Sequence, residues 1–336
     1  MPALLALAVL AAACGPAAHA KAVRAAPSAR PSASPSPSPT RLPGDVDPLT
    51  GEAPKPATPL VVVKVDNGAL ARQYQRGLGR AAIVYQELVE SGETRFAAVF
   101  SSASAGEVGP VRSVRETDID LLRPFGKVPV AFSGGNTGVK ATFHEAVRAG
   151  YLIDGSYDAV PQDYRLGERR ADARNFFTSP AEVARSKPGV QARDIGLRFG
   201  PLPAGRGDPV GVATAVYSSY VTVRVQYVPE TGHYAIFQNK QEMSGVGPAN
   251  VIVQRVPIRM SRYVDVLGNR TPYTVTTGSG EATVLRDGRA IPATWLRPEV
   301  AGGTRFVDGS GADLPLRPGP TWVLLLPANG ASLTLD

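Results

Sequence analysis

Apolar residues run almost unbroken through LVVVKV, from Leu60 to Val65, which predicts a strand buried on both faces. A polar loop follows. AAIVYQELVE and TRFAAVF then flank Ser91–Glu93, the pattern of a hairpin. Folded about that turn, Val84, Leu88, Phe96, Ala98 and Phe100 share one face, and Ile83, Tyr85, Val89, Ala97 and Val99 the other. Both faces are mostly apolar, so the hairpin is predicted at the centre of a sheet covered on both sides. Glu87 and Arg95 fall on one face within diagonal reach, and buried charges are normally paired. Glu87, Glu90, Arg95 and Arg112 are accordingly read as structural ion-pairing residues.

Beyond a turn at Ala105–Gly106, VGPVRSV predicts a further strand. Thr117 is a good N-cap, and Asp118 and Asp120 fall in the first turn of a short helix that Pro124 ends. VPVAFS (128–133) is again strand-like. After GGNTG, the spacing of Val139, Phe143, Ala146 and Val147 predicts a helix stopped by Gly150. Strand 110–115, helix 117–123 and strand 128–133 thus read as a compact βαβ crossover, close to the minimum of about 10–12 residues. In such a unit both strands end on one sheet edge, where open α/β sheets place ligands and helix N-termini favour anions. Arg115, Gly134, Gly135, Asn136 and Thr137 are therefore the predicted anion-binding residues, the planar fork of Arg115 suiting phosphate or carboxylate. The other reading pairs Arg115 with Glu116 or Asp118 and makes Gly134–Asn136 a tight turn. Arg112, on the opposite strand face, is expected to brace the sheet by pairing with Glu87 or Glu90.

From about residue 205 the pattern changes to short alternating segments such as YVTVRVQYVPETGHYAIF, EATVLRDGRAI and TWVLLLP, separated by Gly-rich and Asp-Gly turns. The expected fold is an α+β or α/β mixed-sheet N-terminal domain, residues 60–195, and a mostly β C-terminal domain, residues 210–330, with a linker within 190–212. At the start of the chain, ALLALAVLAAA is too short to span a bilayer and fits the apolar core of a signal peptide over residues 1–20. It runs into Cys14, the one cysteine of the chain, followed by Gly15. This resembles a lipobox whose thiol takes a lipid anchor; a plain secretory signal cut near Ala20 is the alternative. Residues 21–59, rich in Pro and Ser, read as a disordered tether. The expected location is the cell membrane, lipid-anchored on its extracytoplasmic face.

Composition narrows the chemistry. The formal charge is +7, but 29 of the 36 basic residues are Arg, scattered without basic runs or interleaved aromatics, so no nucleic-acid partner is expected. Three histidines in separate segments and a cysteine in the leader supply no metal cluster, and no phosphate-binding loop or serine-nucleophile elbow is present. Neither metal nor cofactor is expected. Glu87, Glu90, Glu116 and Asp118 could supply an acid–base pair for a glycan, although Glu87 and Glu90 point to opposite strand faces.

DNGALARQYQRGLGRAAIVYQELVESGETRFAAVF and GPVRSVRETDIDLL, with GSGEATVLRDGRAIPATW and TRFVDGSGADLPLRPGPTW near the end, resemble the YerB lipoprotein family over nearly everything from Leu60 to Pro327. The resemblance implies a signal-anchored extracytoplasmic protein with distinct N- and C-terminal domains of unknown function, and carries over no catalytic residue. Arg72-Gln73-Tyr74-Gln75 stands where the family commonly has Ala-Arg-Pro-Gln, Gln86 where many members have Glu, and Arg174 where His precedes the asparagine. The last two replace groups able to titrate near neutrality by groups that cannot, which counts against an enzyme depending on them. The expected function is binding of an anionic or sugar-containing envelope component. A hydrolase or transferase acting on an envelope glycan and a protein-interaction scaffold are the alternatives.

Overall fold

The computed structural model describes residues 44–102, 106–168, 174–265 and 268–336; Cys14, the signal segment and the tether as far as residue 43 lie outside these. Over the described residues the protein is mostly β. The run after Leu60 forms β1 (Val61–Asp66), buried throughout. β2 (Ile83–Leu88) and β3 (Thr94–Phe100) form the predicted hairpin, with Ser91 in its turn at φ 58°. β3 lies between β2 and β1, antiparallel to both. The alternation sorts as read from the sequence: Val84, Phe96, Ala98 and Phe100 pack into one core, Ile83, Ala97 and Val99 into the other.

The βαβ reading fails beside β1. β4 (Val108–Val111) pairs antiparallel with the end of β1, at Val65, whereas β5 (Val128–Ala131) pairs parallel with it at Val62 and Val63. The two strands share one side of β1 and run in opposite directions, so α1 (Glu116–Leu121) between them is not a crossover. The parallel unit is instead β5, α2 (Thr137–Arg148) and the strand Leu152–Asp154. Thr117 is not the cap of α1 either. Arg115 holds that position, its backbone N–H donating to Asp118 at 2.7 Å, while the Thr117 hydroxyl accepts from the Thr274 N–H at 2.9 Å.

Two boundaries also differ. Residues 44–59, inside the expected tether, are folded: Leu49 is fully buried, and the buried Asp47 accepts from the Ser101 hydroxyl at 2.6 Å. An apolar anchor and a satisfied acid decide this stretch, not its proline content. Ile195 and Leu197, in the stretch read as a linker, are buried in the core.

A 14-stranded sheet takes strands from both halves of the chain. Thr321–Pro327, near the C-terminus, lies between β2 and Asn250–Val256 and is parallel to each. The described residues all fall within one compact unit. One face of the large sheet packs on α1 and α2, and the other on a five-stranded antiparallel sheet that includes Val212–Val216, Thr222–Val228 and His233–Gln238. A separate ribbon, Ile258–Val264 paired with Arg270–Thr274, reaches α1 and α2. β1, β2, β5, Asn250–Val256 and Thr321–Pro327 all run the same way, so their carboxyl ends share one edge.

Candidate functional site

Charged side chains gather where β1 and β2 end. Lys64, set in the apolar run of β1, is fully buried, its ammonium donating to Glu87 and, at 2.6 Å, to Asp118 of α1. Burial opposes the lysine charge, but Asp118 and Glu87 outweigh it and hold Lys64 above its ordinary pKa. Burial and the neighbouring Asp118 push the Glu87 carboxyl up to about 7, against the pull of Lys64. Two residues further along β1, Asp66 takes Arg95 at 3.2 Å and Arg112 at 3.1 Å. Arg115 reaches Glu90 at 2.8 Å.

Glu87, Glu90, Arg95 and Arg112 are thus all in ion pairs, but not with the partners expected. Arg95 lies directly opposite both Glu87 and Asp66 in the register, and it turns to Asp66 while Lys64 claims Glu87. Arg112 pairs with Asp66 rather than with Glu87 or Glu90, and Arg115 with Glu90 rather than with Glu116 or Asp118. Position along the strand is legible in sequence; a competing partner on β1 is not.

The residue before Arg115 meets the glycine turn, the Val114 N–H donating to the Gly134 carbonyl at 3.3 Å, while the Arg115 side chain goes to Glu90. Gly134 adopts φ +80°, a turn conformation that suits glycine. The start of α2, however, is already occupied. The Asn136 side-chain carbonyl accepts from the N–H groups of Gly138 and Val139, and its amide donates to the Val264 carbonyl. The Tyr263 ring lies so close that a Cβ added at Gly138 would come within 2.3 Å of it. Free N–H groups at the α2 terminus, and with them a role for Gly135 and Thr137 in holding an anion there, are replaced by a capped, covered helix end.

What the edge presents instead is a set of guanidiniums. The Arg112 side chain is 29% exposed and that of Arg115 11%, so Arg112 holds the more open position. Their counter-ions Asp66 and Glu90 are buried or nearly so. The cation stands in front of the carboxylate at Asp66, which is 2% exposed against 29% for Arg112 and 14% for Arg95, whereas Arg115 and Glu90 are buried to the same degree. The Nε groups of Arg95 and Arg115 are buried and make no hydrogen bond. This arrangement can orient guanidiniums toward an oxyanion, because the carboxylates fix their forks. Glu87 and Asp118 are fully buried against Lys64, so neither turns a carboxyl to an incoming polymer.

Sequence reasoning missed Lys64 and Asp66. A lysine within VVVKVD was the available signal, since a charge inside a doubly buried strand requires a partner. It also missed a cleft of about 400 Å³ between residues 72–80 and 238–246, whose walls are distant in the chain. Among the described residues, no group of three His, Cys, Asp or Glu side chains could hold a metal ion, and no helix is long and apolar enough to cross a membrane.

The N-terminal domain of a family of proteins of unknown function, DUF3048, matches residues 49–193, and the C-terminal domain of the same family matches residues 213–323. A relative from Bacillus subtilis, named as the lipoprotein YerB, is 24% identical over 287 residues, covering 80% of this chain and 81% of its own. The crystal structure of YerB from Bacillus subtilis superposes with a TM-score of 0.69 at 23% identity, over 86% of this chain and 99% of that one. With both domains matched in order, the chain belongs to the YerB-like family, whose function is unknown.

Proposed function

We propose that the protein is a lipid-anchored binding protein on the extracytoplasmic face of the cell membrane, and that its arginine edge takes an oxyanion of a cell-envelope component. The observation carrying this reading is that Arg95, Arg112 and Arg115 meet at the shared carboxyl edge, with Asp66, the partner of Arg95 and Arg112, behind them. Arg112 is the most open of the three, and Asp66 behind it fixes the direction of its fork toward an acceptor arriving from outside. The lipid anchor rests on Cys14 after its apolar run and on the lipoprotein name of the relative. Cys14→Ser is expected to move the protein from the membrane to the soluble fraction; unchanged membrane association would refute the anchor.

Binding is favoured over hydrolysis because the four candidate acids are committed: Glu87 and Asp118 to Lys64, Glu90 to Arg115 and the Thr271 hydroxyl, and Glu116 to the Ser261 hydroxyl. The test is calorimetric titration of residues 44–336, which contain both cores, with glycerol 3-phosphate. Arg112→Ala is expected to weaken binding roughly 10- to 100-fold, the equivalent of one charged hydrogen bond. Its cost in stability should stay near 1 kcal/mol, since Asp66 keeps Arg95 as a partner and the side chain is partly exposed. Unchanged affinity in Arg112→Ala would remove the edge from consideration.

A further inference from the structure

The Arg72 side chain lines the cleft between residues 72–80 and 238–246 and is only 7% exposed. Its Nε and Nη2 make no hydrogen bond, and its nearest carboxylate oxygen, Glu93 Oε2, stands 3.9 Å away and is itself without a hydrogen bond. A guanidinium at that depth normally uses its donors, so this one is held with capacity to spare. Arg76 also lines the cleft but is committed, to Glu107 at 2.7 Å and Glu168 at 3.3 Å. The remaining lining adds Arg80, the side-chain amides of Gln75, Gln238 and Gln241, one carboxylate, Glu242, and apolar Leu78 and Met243, and contains no aromatic ring.

The cleft and the arginine edge adjoin. The Gln75 amide donates to the Asp66 backbone carbonyl at 2.7 Å, while the Asp66 carboxylate holds Arg95 and Arg112. One residue thus touches a wall of the cleft through its main chain and the edge through its side chain.

We propose that the cleft is a second anion subsite centred on Arg72, and that the ligand is a flexible polyol or sugar chain with repeating oxyanions. One charge is held at Arg112 and another at Arg72. The inference rests on the oxyanion reading of the edge and adds the second contact. A repeating chain gains affinity because its second charge binds intramolecularly once the first is held. A cleft without aromatic rings gives nucleobases no stacking platform, which separates such a chain from a single-stranded nucleic acid.

The experiment compares glycerol 3-phosphate with a short poly(glycerol phosphate) chain on residues 44–336, with oligogalacturonate as the carboxylate arm and oligo(dT) as the nucleic-acid arm. One of the two polyol or sugar chains is expected to bind roughly 100-fold more tightly than the monomer at low salt, and the tighter one names the oxyanion. Arg72→Ala should reduce that chain to the monomer's affinity and leave the monomer unaffected. Ser244→Trp, at an exposed position lining the cleft, should do the same by filling it. Monomer binding without any gain for either chain, chain binding indifferent to both variants, or oligo(dT) binding as tightly would overturn this inference while leaving the edge standing. Failure of both monomer and chain to bind the unmodified protein would overturn both readings.

Discussion

Lys64→Met is expected to lower the free energy of unfolding by about 3–5 kcal/mol, because it strands two carboxylates inside the protein. Lys64, Glu87 and Asp118 have no exposed side-chain surface, and the lysine is the shared partner of both acids. Methionine preserves the length and much of the volume of the side chain, so the loss reports charge rather than a cavity. Lys64→Met combined with Glu87→Met and Asp118→Leu should recover most of it, since an apolar replacement of a complete buried ion cluster is often neutral. Denaturant titration of the single and triple variants reads both effects; equal loss in the two would mean that the methionine is simply misfit. The cluster also sets a pH dependence. Glu87 stands near 7 in the folded protein against an ordinary value of 4.5, so the folded state keeps a proton that the unfolded chain releases in between. That contribution to stability is complete below about pH 4.5 and is lost as pH rises through 7. Glu87→Gln should flatten the decline in stability between about pH 5 and pH 8, an effect on the order of 3 kcal/mol.

Trp322→Ala is expected to cost about 3–5 kcal/mol, and to do so in a single transition. Trp322 belongs to the strand Thr321–Pro327, is almost fully buried, and meets Phe96 of β3 edge to face with ring centroids 5.2 Å apart. Truncation removes a large aromatic side chain from a contact between the far end of the sequence and the N-terminal hairpin. Because the strand is hydrogen-bonded both to β2 and to Asn250–Val256, the two family domains share a sheet and should melt together. Calorimetry showing one transition shifted downward agrees with this. Two separable transitions, only one of them moved by the substitution, would show that the shared strand does not couple the halves.

These two sites mark the limits of what the sequence discloses. β1 and the β2–β3 hairpin were legible because they are long and apolar, and the alternation of β2 and β3 assigns their apolar residues to the two cores, Val89 of the turn excepted. Their neighbours were not. β4 is four residues long, and nothing local to VGPV says whether it runs with or against β1. The insertion of Thr321–Pro327 beside β2 joins residues more than two hundred positions apart, a relation that no periodicity encodes. At the candidate site, it is Val114, not Arg115, that meets Gly134, through an extended crossing after β4 rather than through a crossover. Asn136 was read as part of a ligand site when its amide, suited equally to capping, was used for that. Arg112 was read as the brace and Arg115 as the binder; the exposures are the other way about, because Glu90 folds back from the hairpin turn onto Arg115. Buried lysine and aspartate in β1 decide these pairings, and only the three-dimensional register brings them into reach.

Anomalous diffraction from crystals equilibrated with selenate tests the arginine edge most directly, because selenate is an oxyanion whose position is read without assuming a ligand. A peak within hydrogen-bonding distance of Arg112, absent when Arg112 is replaced by alanine, is the predicted result. Selenate bound elsewhere on the molecule, with none at Arg112 at saturating concentration, would contradict an anion site at the carboxyl edge of the sheet.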